Sequence, residues 1–390
     1  MKAVIVGAGI AGLTLAWWLR KDGWDVIVLE KAAGLRDEGY MIDFFSSGYD
    51  VAERMDLLSR LKALSYRIPK IVWVNGKGKR VSHIDYERMA SLLGGRVLTL
   101  MRGDLERALF DHLPSGIDLR YGCSVSAIQS GQESVDLTLT TGEYLRADLL
   151  IGADGVHSTV REMVFGNEKR FIRFLGYHTA AFIFEDARLH SAIADEFQLM
   201  CVPNRQAGFY PIRDNRIASF FVHRAATMAL PTNPRDEISR VYGDFGWHVP
   251  NALKKAEGLK DIYYDQVAQI EMSLWYSGRV TLVGDACQAV SLMAGQGASL
   301  AMGGAYILAE TLRQSQSVAH ALQQYQLRLR TAVLKKQLAG RRTAGWLVPS
   351  SSAKLQLRNL FMTMAQLPGM TWLLKATLLS GAESVLPSSR

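Results

Sequence analysis

Three glycine-bearing turns, each placed directly after an apolar run, are the residues of this chain best suited to chemistry. The first opens it: Ala3-Val4-Ile5-Val6 runs into Gly7-Ala8-Gly9-Ile10-Ala11-Gly12, and a helix-compatible stretch follows over 13–19. In such a strand, turn and helix, Gly7 permits the tight turn, Gly9 lets a pyrophosphate approach the backbone, and Gly12 lets helix and strand pack closely. The unpaired N–H groups of the helix start, those of Ile10 and Ala11 among them, face the phosphates with about half a positive charge. The helix stops at Gly23, and a second β-branched run, Val26-Ile27-Val28-Leu29, ends on Glu30 and Lys31. Glu30 can accept both hydroxyls of an adenosine ribose, with hydrogen bonds to its charge worth roughly 1.5–3 kcal/mol each. This is dinucleotide-binding chemistry. A secretory signal peptide is excluded because Arg20-Lys21-Asp22 stands where a small-residue cleavage site would be, with another strand beyond it.

The second turn, Asp154-Gly155-Val156-His157-Ser158, follows Asp148-Leu149-Leu150-Ile151, a continuous apolar run of the kind found in central parallel strands. The third, Gly284-Asp285-Ala286, follows another such run over 278–283, and Gly295-Gln296-Gly297-Ala298 then leads into a long helix. Asp285 at a buried strand end reads as a ligand contact in preference to a simple helix cap. A helix start at 295–298 aims N–H groups beyond the sheet edge, where they stabilise negative charge on a ligand.

These turns need a parallel α/β sheet to hold them, and 390 residues suffice for two or three domains. The elements expected between them are a helix over 50–61, a hairpin over 68–81 turning at Asn75-Gly76-Lys77-Gly78, and a strand leading to a helix over 98–110. A β-meander is expected over 117–147, an antiparallel sheet over 171–224, a strand over 262–270, and helices over 300–312 and 325–337. The net charge of +8 comes from scattered basic residues, which argues against a nucleic-acid partner. Cys123, Cys201 and Cys287 are far apart and odd in number, and the histidines show no ligand spacing, so no metal site is expected and a reducing cytoplasm fits. No uninterrupted apolar segment reaches the roughly 18 residues of a membrane span. The apolar tail over 360–374 reads as a helical hairpin turning at Pro368-Gly369 and packed on the body, in preference to a membrane-surface segment.

Taken in order, Gly7-x-Gly9-x-x-Gly12 with Glu30, Asp154-Gly155-x-x-Ser158-x-x-Arg161, and Gly284-Asp285-Ala286 resemble the class A flavoprotein monooxygenases, aromatic hydroxylases with a glutathione-reductase-type FAD fold. The resemblance covers about residues 1–340. It implies an α/β architecture with a discontinuous Rossmann-like FAD domain (1–70, 96–170 and 262–340), an inserted antiparallel-sheet substrate domain (71–95 and 171–261) and C-terminal helices (341–390). The first motif and Glu30 would hold the ADP half of FAD, and Asp285 the ribityl chain. Asp154, Gly155 and Arg161 would contact FAD and NADPH or NADH, with Arg161 meeting the phosphates of the nicotinamide nucleotide because the single GxGxxG is taken by FAD. Arg102 and Leu105 are assigned to the FAD-facing helix, and Arg36 with Gly39 to the loop after the ribose acid. Gly295, Gln296, Gly297 and Ala298 complete the expected cofactor set.

The implied reaction is reduction of FAD by NAD(P)H, addition of O2 at C4a, and hydroxylation of a bulky planar aromatic or polyketide-like substrate by the hydroperoxyflavin while water is excluded. The later glycine pattern is similar to that of the tetracycline-inactivating monooxygenases, which implies a role in antibiotic resistance. Gln288, Leu292 and Ser299 depart from the family pattern, which has histidine, proline and asparagine there. The substrate is expected between the 171–224 sheet and the 292–297 loop, under a lid over 360–374. Phe182, Met200, Phe209 and Phe221 read as core, and no catalytic base is named. A non-oxygenating FAD-dependent oxidoreductase or reductase is the alternative, and a ligand-sequestering flavoprotein a further one. The halogenase Trp-x-Trp-x-Ile-Pro signature and the amine-oxidase Arg-x-Gly-Gly-Arg loop are both missing. A monomer is expected.

Overall fold

The computed structural model describes residues 1–35, 40–291, 295–365, 367 and 383–386. Strand Lys2–Val6 lies inside a six-stranded sheet, paired in parallel with Asp25–Glu30 on one side and Leu149–Gly152 on the other. Ile117–Tyr121 extends one edge in parallel, Val280–Leu282 the other, and Tyr276–Ser277 closes that second edge antiparallel. The apolar runs are buried through both faces, as strands covered on both sides must be. Helix Ile10–Lys21 packs against the long helix Gly297–Gln314, which in turn lies on the 30-residue helix Val318–Leu347. The β-meander is confined to Val125–Ser130, Val135–Leu139 and Tyr144–Ala147, and Ile117–Tyr121, expected to belong to it, joins the parallel sheet instead.

A second, eight-stranded sheet runs in the order Tyr263–Ile270, Ile172–Ala181, Arg216–Arg224, Arg205–Ile212, Glu196–Val202, Lys70–Val74 and Arg80–Asp85, with Ile183–Glu185 also on Arg216–Arg224. Tyr263–Ile270, which the sequence grouped with the FAD-binding segments, is therefore a strand of this sheet. Its hydrogen-bonding partner lies some ninety residues earlier, beyond any local signal. One face of the sheet is sealed by helices Pro234–Tyr242 and Val249–Ala256 over Phe182, Met200, Phe209 and Phe221, so these four are core. The other face looks toward a two-stranded ribbon, Met41–Phe45 with Val97–Met101. Helix Ser352–Met364 packs beside that second face, burying Met362 and Arg358 with Trp73, Ile84 and Leu199. The expected Pro368-Gly369 turn and the rest of the lid, 368–374, lie outside the described residues. Residues 383–386 return to the dinucleotide side, where Val385 N–H donates to Ser47 Oγ (2.8 Å) and Leu386 is buried.

Candidate active site

The three turns converge on one cleft at the carboxyl ends of the parallel strands, bordered by Gly7, Gly9, Glu30, Lys31, Tyr40, Arg102, Glu106, Asp154, Gly155, His157, Tyr263, Asp265 and Asp285. Gly7 sits at φ +109°, and a Cβ there would lie 2.5 Å from the Ala153 carbonyl oxygen. At Gly12 a Cβ would lie 1.9 Å from the Gly7 carbonyl oxygen, so helix and turn touch backbone to backbone. A Cβ on Gly9 would meet only Glu106 Oε1, at 3.4 Å, which leaves that backbone open to the cleft. Leu13 N–H bonds back to the Gly9 carbonyl, making Ile10, Ala11 and Gly12 the first-turn donors. The Ile10 and Ala11 side chains are buried, so only their backbone can serve a ligand. Glu30 Oε2 accepts from Ala8 N (2.9 Å) and Oε1 from Ala32 N (2.8 Å), which fixes the carboxylate and leaves each oxygen a lone pair for a ribose hydroxyl.

Asp154 organises the second turn. Its Oδ1 accepts from the Ser158 hydroxyl (2.5 Å) and its Oδ2 from Thr159 Oγ1 (3.0 Å) and Val160 N (3.1 Å). His157, carried on the same turn, stands with Nδ1 3.1 Å from Glu168 and Nε2 3.5 Å from Asp265. Hydrogen bonding to Asp265 and then to Glu168, against partial burial, raises its pKa to about 9. The imidazolium thus pins the turn to the eight-stranded sheet at neutral pH. Arg161 does not reach the cleft, contrary to its expected phosphate contact. It is fully buried and donates to the carbonyls of Ala286 (2.9 Å) and Val156 (2.6 Å) and to Glu168 (3.2 Å), clamping the second turn to the third from behind. A helical position in the first turn can face either way, and only packing decides it.

In the third turn Gly284 sits at φ +63°, and a Cβ there would meet Ala11 Cβ at 2.7 Å, so this turn and the first interlock. Asp285 is exposed to the open cleft yet ringed by protein on its other sides, and the resulting desolvation raises its carboxyl pKa, with Arg102 opposing. Arg102 is itself held by Glu106 at 2.7 Å, one helical turn on, and Leu105, assigned to the cofactor by resemblance, is core. Tyr40 and Tyr263 meet with ring centroids 5.5 Å apart across the cleft, and burial pushes the Tyr40 phenol up to about 12. A Cβ on Gly297 would lie 4.0 Å from Asp285 Oδ1, placing the start of helix Gly297–Gln314 beside the third turn. Gln296, just ahead of it, is buried and accepts from Lys336 Nζ (2.7 Å), whose ammonium also donates to the Glu383 carbonyl (2.9 Å). Gly295 takes φ +63° and Ala298 packs on the core. Arg36, Gly39 and Leu292 lie outside the described residues. Gln288 is buried against Tyr325 and Gly304, away from the cleft, and Ser299 Oγ accepts from Phe45 N (3.3 Å), so neither departure from the family pattern alters the cleft wall.

A smaller pocket of about 140 Å³ lies between the ribbon and the open face of the eight-stranded sheet, lined by Met41, Asp43, Ile68, Ile71, Tyr86, Thr99, Phe197, Tyr210 and Phe220. Strand alternation builds it. Met41 and Asp43 point to the pocket while Ile42 and Phe44 pack into the core behind. Tyr210 accepts from Met41 N (2.6 Å), fastening sheet to ribbon. Sequence reasoning missed this wall because its residues come from seven separate segments with no motif of their own. Among the described residues no His, Cys, Asp or Glu cluster could hold a metal ion, and no helix is long and apolar enough to cross a membrane.

A family model described as an FAD binding domain matches residues 1–336. An uncharacterized protein of Mycobacterium tuberculosis is 34% identical over 329 residues, covering 80% of this chain and 85% of its own. A protein of Legionella longbeachae named flavin-dependent monooxygenase is 28% identical over 347 residues, covering 87% and 88%. Among solved structures, that of tetracycline destructase Tet(51) superposes with a TM-score of 0.82 at 26% identity, over 100% of this chain and 99% of that one.

Proposed function

Since this chain belongs to the FAD-binding-domain family and is a flavoprotein monooxygenase, we propose that it uses NADPH or NADH and O2 to hydroxylate a bulky planar aromatic or polyketide-like molecule. The observation that carries the reading is that one strand borders both cleft and pocket. Strand Met41–Phe45 runs from Tyr40, on the cleft, past Asp43, in the pocket, to Phe45, whose N–H meets Ser299 in the first turn of the helix beside Asp285.

The cleft fits FAD. The glycines of the first turn leave backbone N–H groups for its pyrophosphate, Glu30 presents two oxygens to its ribose, and Asp285 stands where the ribityl chain would pass. Bound FAD supplies hydride acceptance and the activation of O2; the chain supplies orientation and dryness. With Arg161 buried, Lys31, Arg102 and His157 are the cations among the described residues bordering the cleft, and Lys31 and His157 are proposed to meet the nicotinamide-nucleotide phosphates. One ring of the substrate fills the pocket, which matches a benzene-sized cavity of roughly 150 Å³, and the remaining rings extend toward the cleft. Phe361 and Met362 of the C-terminal helix pack with Ile71 and Phe197 and keep water from the pocket's flank. The similarity to tetracycline destructase Tet(51) adds tetracyclines to the substrates worth trying.

The test is purification followed by spectroscopy and turnover. Protein carrying non-covalent FAD should consume NADPH or NADH faster with tetracycline or a hydroxyanthraquinone than with phenol, and release a hydroxylated product. Gly9→Leu and Asp285→Ala should each yield colourless protein. Normal flavin content in both variants would overturn the cofactor placement, and efficient hydroxylation of phenol with none of a polycycle would overturn the substrate class.

A further inference from the structure

Asp43 is the only carboxylate on the described wall of the substrate pocket, and cofactor binding gives it no task. Tyr86 OH (2.5 Å) and Thr99 Oγ1 (3.3 Å) both approach its Oδ1, and the Thr99 hydroxyl also lies 3.0 Å from Tyr86 OH. Among the described residues no hydrogen bond reaches Oδ2. The surroundings are Met41, Ile68, Ile71, Phe197 and Phe220, and no Lys, Arg or His lines the pocket among the described residues. A carboxylate in such a place is costly unless donors meet it. Two hydroxyls on one oxygen meet half of that demand and leave the second oxygen turned to whatever occupies the pocket.

We propose that Asp43 anchors and deprotonates a ring hydroxyl of the substrate, so that the molecules taken are phenols or enols with an acidic O–H on the ring that enters the pocket. The inference rests on the monooxygenase reading above and names the substrate class for it. In the step, the substrate O–H bond breaks, the proton passes to Asp43 Oδ2, and the electron pair stays on the substrate oxygen as a phenolate or enolate. Nothing is oxidised or reduced. The charge so left on the ring raises electron density at its ortho and para carbons, which are the positions an electrophilic oxygen seeks.

The other titratable groups in the pocket do not compete. Burial and the neighbouring Asp43 hold the Tyr86 phenol well above its ordinary value, and burial raises that of Tyr210, so both stay protonated near neutrality. Desolvation raises the Asp43 carboxyl, against the hydrogen bonds of Tyr86 and Thr99, and a carboxylate so raised is a better base.

The test uses alizarin, 1,2-dihydroxyanthraquinone, whose ionised form absorbs beyond the flavin bands. The dye is titrated into oxidised, FAD-loaded protein without nicotinamide nucleotide, one pH unit below its own first pKa, in weak buffer with a proton indicator. Wild type should bind it as the anion without releasing protons to the medium, raising the ionised-to-neutral ratio at least tenfold. Asp43→Asn should bind it neutral, and Asp43→Glu should restore the anion band, which separates a lost carboxylate from a misfolded pocket. An anion band of equal strength in Asp43→Asn would overturn the proposal, as would neutral dye, or none, bound to wild type. Dye-stimulated NADPH and NADH consumption is scored separately: a protein that ionises alizarin but oxidises neither nucleotide retains Asp43 as the acceptor and loses the monooxygenase reading.

Discussion

The two faces of the eight-stranded sheet are made by the same alternation of side chains and turned to opposite uses. Phe221 is buried among Phe182, Phe209 and Tyr242, with centroids 5.5 Å from Phe182 and 4.8 Å from Tyr242, whereas Phe220, its neighbour in sequence, lines the smaller pocket. Phe209 and Tyr210 divide in the same way. On the closed face ring meets ring under two helices. On the open face a cavity persists because polar fastenings, Tyr210 to Met41 and Tyr86 to Asp43, hold ribbon and sheet at a set distance. Richness in aromatic residues therefore says nothing about a strand's role until the parity of each residue is known.

Truncating a ring on each face would sharpen the contrast most. Phe221→Ala should lose about 3–5 kcal/mol of stability in urea unfolding, because the rings around it cannot collapse into the space. An equal loss from Phe220→Ala would abolish the distinction between the faces.

The closed face also carries a sensitivity to acid. His178 and His223 are cross-strand neighbours, both buried, and share the Tyr264 hydroxyl at 3.2 and 3.3 Å. Burial and then the nearness of His178 push His223 down to about 4, with Glu237 opposing and Arg240 and Arg205 assisting. Burial lowers His178 as well. Because the unfolded chain then binds the extra proton, this stability is fully present above the unfolded pKa of about 6.5 and is lost as pH falls toward 4, on the order of 3 kcal/mol for His223. Urea midpoints at pH 7.5 and 4.5 should show the loss, and His223→Gln should flatten it. An unchanged slope in that variant would place the acid sensitivity elsewhere.

On the open face the expected effects are smaller in stability and larger in binding. Tyr210→Phe strands the Met41 N–H and should cost about 1–3 kcal/mol, with weaker retention of polycyclic ligands in dye titrations. Phe220→Leu should change stability by less than about 1.5 kcal/mol while altering which ring systems stimulate nucleotide oxidation. If ligand preference stayed fixed in that variant, the pocket would not be where substrates bind.

What was legible in the sequence follows from how local each constraint is. Gly7 and Gly12 are dictated by backbone contacts and Gly284 by its contact with the Ala11 side chain, Glu30 ends a strand and Asp285 follows one across a short turn, so their placement could be read from spacing alone. The pocket was not legible, since Asp43, Tyr86, Thr99 and Tyr210 meet only through pairing between distant strands. Arg161 was misread because a first-turn helical arginine gives no sign of which side it faces. It found carbonyls and Glu168 behind the cleft. The sequence groups Tyr263–Ile270 with the FAD-binding segments and gives no sign of its pairing with Ile172–Ala181, because that register is set by residues on another element.

The interlocking of the first and third turns also governs how the chain can fold while it is being made. Helix Ile10–Lys21 leaves the ribosome early relative to the elements it packs against, since helix Gly297–Gln314 and the Gly284 turn that seats on Ala11 are made almost three hundred residues later. At roughly 5–20 residues per second that interval is on the order of tens of seconds. Throughout it the side of the first helix that meets these later elements, with Trp18 against Tyr306 and Ala11 against Gly284, lacks its final cover. The cleft is incomplete in that time as well, because Asp285 on its border has yet to be translated.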